Sequence, residues 1–120
     1  MTVTNDRAIE LARECGWEVM ERTHNVDGGP GIYKAWIPPT PGSYAADYVV
    51  YIDTNREAFA DAVIRIATNY IAEDDRFRAA NGLRNSDVAT LLYADRVRDV
   101  MDRTVEAFRK AESVTTRRQA

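Results

Sequence analysis

The chain has 120 residues, with 16 Lys+Arg, 19 Asp+Glu, one His and one Cys, for a formal net charge of −3. With 45 % hydrophobic and 29 % charged residues, it has the composition of one globular domain. A single Cys excludes a disulfide framework or a Cys-based zinc site within one chain, and the longest strongly apolar run, Tyr48 to Ile52, is far short of a membrane span.

Residues Met1 to Asp6 carry no basic or apolar leader segment, so a cytoplasmic location is expected. Thr4 or Asn5 can cap a first helix, because a short side-chain oxygen can accept from a free backbone N–H. Ala8, Leu11, Ala12 and Cys15 form an apolar stripe at helical spacing, and Gly16 supplies a left-handed stop. A helix over 5–15 follows. Trp17 to Thr23 alternates as a half-buried strand, Asp27 to Gly31 is a turn, and Ile32 to Ile37 is a second, antiparallel strand. Pro38-Pro39-Thr40-Pro41-Gly42 halts that strand. Tyr48 to Ile52 is a third strand whose continuous apolar character predicts burial on both faces, or a central place.

Thr54 and Glu57 match a capping box ahead of Phe59, Val63, Ile66, Ala67, Tyr70 and Phe77, which recur on one helical face. This predicts a helix over 55–80, with a break conceivable at Glu73-Asp74-Asp75. A last helix over 87–111 follows a short link. The order α-β-β-β-α-α gives an α+β fold: a small antiparallel three-stranded sheet packed on helices, with a long C-terminal antiparallel helical hairpin. We expect one domain over 1–112 and a frayed polar tail over 113–120.

The last helix has two apolar faces. Tyr93, Ala94, Val97, Val100, Met101, Val105 and Phe108 share one side, and Val88, Leu91 and Leu92 lie opposite. A 25-residue helix spans roughly 38 Å, beyond the ~35 Å diameter of a compact domain this size. Val88, Leu91 and Leu92 are therefore candidates for self-association, as in a homodimeric four-helix bundle.

Chemistry-bearing residues are sparse. Asp95, Asp99 and Asp102 share a helical face, but Arg98 and Arg103 beside them favour a salt-bridged surface over a metal site. His24 stands near Asp27 with no nucleophile, and Cys15 lies on an apolar stripe where a thiol is inert, so no catalytic set is expected. Gly28-Gly29-Pro30-Gly31 lacks the spacing of a phosphate loop or dinucleotide fingerprint, so no cofactor is expected. Pro38-x-x-Pro41 lacks the flanking Arg of a polyproline ligand and reads as a connection.

The charge is unevenly placed. Residues 1–60 hold nine acids and five bases, whereas 61–120 hold ten acids and eleven bases. Fourteen of the sixteen bases are Arg, which the codons of a GC-rich genome explain without a recognition role. Arg76, Arg78 and Arg84 flank the interhelix turn and are the candidate nucleic-acid contacts of the alternative reading, a small DNA-binding transcriptional regulator using the Arg-bearing hairpin, but Asp74, Asp75 and Asp87 offset them, which argues against nucleic acid. Aromatics cluster in the acidic half, and strand parity cannot bury them all. Tyr33, Trp36 and Tyr44 are the candidate partner-binding residues, because exposed Tyr and Trp anchor protein interfaces.

Gly16-Trp17, Trp36-Ile37-Pro38-Pro39 and Ser43 to Asp47 ahead of a helix resemble small phage-encoded accessory proteins of the ABA-sandwich type, over residues 5–70. The resemblance implies a phage or mobile-element origin and a non-enzymatic role, binding and inhibiting or regulating a host protein complex in the manner of anti-CRISPR and other anti-defence proteins. It supplies no catalytic residues.

Overall fold

The computed structural model describes residues 3–23, 31–81 and 88–119; for 23, 81, 88–94 and 114–119 it describes the backbone alone. The elements are α1 (Asn5–Cys15), β1 (Glu18–Thr23), β2 (Ile32–Ile37), β3 (Tyr48–Asp53), α2 (Phe59–Asn81) and α3 (Val88–Gln119). The fold is α+β in the expected order.

Local chemistry sets α1. Thr4 is extended, and its hydroxyl accepts from Arg7 N–H at 3.3 Å. Gly16 closes the helix in the left-handed region at φ 118°. Its amide and that of Trp17 then satisfy the carbonyls of Arg13 and Ala12. All four residues of the predicted stripe are buried.

The sheet is antiparallel in the order β1-β2-β3. This corrects the expectation for β3: it is an edge strand, and β2 is central. Burial in β3 alternates, with Val50 and Ile52 turned to the core and Val49 and Tyr51 exposed. Tyr33, Ala35 and Ile37 of β2 and Val19 of β1 share the core side. There they meet Phe59 and Val63 of α2, Val100, Met101 and Phe108 of α3, and the α1 stripe.

The start of α2 also departs from expectation. Thr54 does not cap it; its hydroxyl donates to Gly31 O at 2.6 Å. Glu57 pairs with Arg65 at 2.8 Å instead. The helix begins at Phe59, whose N–H donates to Asn5 Oδ1 at 3.0 Å, so a residue of α1 supplies the missing acceptor. There is no break at residues 73–75, because Asp74 and Asp75 are held by Arg98 of α3.

Helix α3, Val88–Gln119, is 32 residues long. At 1.5 Å per residue this is about 48 Å, which accounts for the 51 Å long axis of the molecule. Its middle is anchored in the core. Trp17 Nε1 donates to Thr104 Oγ1, the Cys15 thiol approaches Arg103 O, and Arg96 Nε donates to Pro38 O at 2.7 Å. Pro38 is buried, so Pro38-x-x-Pro41 is not displayed as a ligand.

Candidate functional site

The strands place alternate residues on opposite faces. The face away from the core carries Glu18, Trp36 and Val49 in one row and Met20, Lys34 and Tyr51 in the next, with Ile32 opposite Asp53 at one end. Arg22 sits at a register shift in β1 and lays its guanidinium 5.9 Å from the Tyr51 ring centre. Lys34 Nζ lies 4.9 Å from the Trp36 ring centre.

No helix among the described residues covers this face. Met20 is 46 %, Val49 44 % and Tyr51 59 % exposed, and Ile32 is exposed beside them. Arg22 and Lys34 have no carboxylate partner among the described residues, whereas the carboxylates at the corners are engaged. Glu18 accepts from Gly42 N–H at 3.3 Å, and Asp53 lies 3.7 Å from Arg56. The centre of the face is therefore apolar, aromatic and cationic within a chain of net negative charge.

The three aromatics singled out in the sequence separate here. Tyr44 is 90 % exposed, on the connection between β2 and β3. Tyr33 points into the core and packs edge-on against Phe59 at 5.9 Å, where burial raises its pKa. Trp36 is only 6 % exposed, so it is not an exposed anchor. The connection over residues 38–47 returns to its side of the sheet, since Gly42 bonds Glu18, the cross-strand neighbour of Trp36. Trp36 Nε1 has no hydrogen-bond partner among the described residues. Sequence reasoning missed Met20, Ile32, Lys34, Val49 and Tyr51. Their signal is the shared parity of three strands, which becomes a surface only once strand order and register are known.

Arg78 is held by Asp74 and Asp95 at 2.8 and 2.9 Å, while Arg76 is exposed and Arg84 lies outside the described residues. Val88, Leu91 and Leu92 lie on α3, but their side chains are outside the described residues, as are His24, Asp27 and Gly28 to Pro30. Asp95, Asp99 and Asp102 each pair with an arginine, respectively Arg78, Arg103 and Arg98. Among the described residues no three His, Cys, Asp or Glu are grouped to hold a metal ion. Cys15 is buried, and burial pushes its thiol pKa up, away from the reactive thiolate. No helix among the described residues is long and apolar enough to cross a membrane.

A groove of about 470 Å³ runs between α2 and α3, lined by Thr68, Ile71, Asp102, Val105, Glu106 and Arg109. No family model, curated protein or solved structure matches this chain.

Proposed function

We propose that this chain is a non-enzymatic protein-binding module that docks through the helix-free face of its sheet. Its role is to inhibit or regulate a larger host complex, as the resemblance to phage accessory proteins implies. The observation that carries the reading is the cluster of exposed Met20, Ile32, Val49 and Tyr51 around Arg22 and Lys34, two cations without carboxylate partners among the described residues. Large apolar and aromatic side chains in a contiguous exposed patch mark interaction surfaces. The cations favour a partner that presents carboxylates at its rim, because complementary charge sets specificity and speeds encounter.

The test is affinity purification from the native host with the wild-type chain and the double variant Met20→Ala, Lys34→Glu. A partner recovered by the wild type and by the α1 surface variant Glu10→Lys, but lost from the double variant, supports the reading. A partner retained by all three moves the docking surface elsewhere. Titration with single-stranded and duplex DNA at low salt checks the nucleic-acid alternative. Binding that weakens steeply with salt would favour that alternative instead.

A further inference from the structure

The two edges of the sheet are treated differently. In β1 the ladder is interrupted by the register shift between Glu21 and Thr23, and Arg13 Nη2 donates to Val19 O at 2.8 Å, filling an acceptor on the outer side of the strand. Both are devices that blunt an edge against further pairing. Strand β3 has neither. Its six residues pair with β2 without a shift, and it contains no Pro, Gly or Lys.

The ladder fixes which groups are left over. Thr54 N–H donates to Gly31 O at 3.1 Å. By the two-residue period, Ile52, Val50 and Tyr48 then turn their amides and carbonyls toward β2. Val49, Tyr51 and Asp53 turn theirs to the open side. The Asp53 carbonyl is taken by the amides of Arg56 and Glu57, but no other backbone hydrogen bond to these three residues is found on that side among the described residues. The strand is rich in Val, Tyr and Ile, the residues that fit a pleated surface.

We propose that a second copy of this chain pairs antiparallel with β3, so that two three-stranded sheets join into one of six strands. One register suits this best. With the two-fold axis at Tyr51, that residue faces Tyr51 of the second copy and exchanges two hydrogen bonds with it. Asp53 N–H reaches the Val49 carbonyl of the second copy, and the symmetric bond repeats at the other end. Val50 then faces Ile52 on the core side, extending the apolar layer. Asp53 stands opposite Val49 rather than another acid. Arg56, with a side chain 88 % exposed, lies at the strand end where Asp47 of the second copy arrives. Sliding the pairing by two residues toward Asp47 would instead set Asp47 directly against Asp53, a like-charge pair that destabilises a ladder. Packing the two open faces together is also disfavoured, because Lys34 occupies the centre of that face and would meet Lys34 across the axis. Edge pairing leaves both open faces on the same side and makes them continuous, so the surface described above is doubled.

The experiment is sedimentation velocity and native mass spectrometry of the full chain over a wide dilution series, with hydrogen exchange read at residues 49, 51 and 53. The expected result is a mass of two chains that falls to one on dilution, with those amides protected only in the larger species. Tyr51→Pro removes an outward N–H and leaves the β2–β3 ladder its own bonds; it should halve the mass. Tyr51→Lys, which sets two cations face to face on the axis without touching the backbone, should do the same. A single-chain mass at every concentration overturns the proposal. So does a two-chain mass that survives Tyr51→Lys, which would point to another interface such as the helical hairpin.

Discussion

Trp17 donates its indole N–H to the Thr104 hydroxyl across 2.9 Å, and that hydroxyl donates onward to the Val100 carbonyl at 2.7 Å. Both side chains are buried, so each donor needs its acceptor. Thr104→Val keeps the shape but leaves the indole N–H unpaired. It should lower the unfolding free energy by about 1–3 kcal/mol in a urea titration. Thr104→Ser, which keeps the hydroxyl, should cost clearly less.

Gly16 stops α1 directly beneath α3. A Cβ there would lie 2.8 Å from Val100 Cγ2, and the backbone sits at φ 118°. Gly16→Ala therefore combines a clash with a conformation that L residues rarely adopt, and should destabilise by about 1–3 kcal/mol. Adding Val100→Ala should relieve the clash alone. The double variant should then lose less than the two single losses combined, read from denaturation midpoints in a double-mutant cycle.

Asn5 caps the second helix rather than its own, through Oδ1 and the Phe59 N–H. Asn5→Ala should cost about 0.5–2 kcal/mol, the range for losing an N-cap acceptor. The local signature is faster hydrogen exchange in the first turn of α2, while Thr4 still caps α1.

Asp74 ties the hairpin together, accepting from Arg78 of its own helix and from Arg98 of α3, both at 2.8 Å. Burial alone would raise its pKa, but the two arginine hydrogen bonds outweigh it and hold the carboxyl below the usual value. A lowered folded-state pKa contributes stability above the unfolded value of about 3.9, and that contribution is lost as pH falls below it. Asp74→Asn should thus be less stable than the wild type at neutral pH, by about 1 kcal/mol for a partly exposed network. The gap should close below about pH 4 in melting curves recorded against pH.

What the sequence shows and what it hides follow from how local each decision is. The α1 stripe and its Gly16 stop are settled within a few residues, and both are legible. The buried side of α3, with Val97, Val100, Met101 and Phe108, is legible for the same reason. The cap of α2 is not, because Thr54 has two uses for its hydroxyl and the one realised lies on Gly31. The true cap, Asn5, lies 54 positions earlier. Strand β3 misleads because a continuous apolar run fits a central strand as well as an edge whose outer residues remain in solvent. Trp36 has the same parity as exposed Met20 and Tyr51, and nothing in its neighbourhood announces that residues 38–47 fold back on its side. Phe77 continues the periodic face of α2, yet is 58 % exposed.

Helix α3 is the last element in the chain and also the one that closes the core over Gly16, Trp17 and Cys15. During synthesis, α1 and the whole sheet are made before any residue of α3 exists. Contacts across some 87 positions come late and slow folding. Until α3 docks, the nascent chain displays the indole of Trp17 and the thiol of Cys15 to its surroundings. A truncation before Phe108 removes a buried core residue of α3 and leaves an open core rather than a smaller domain.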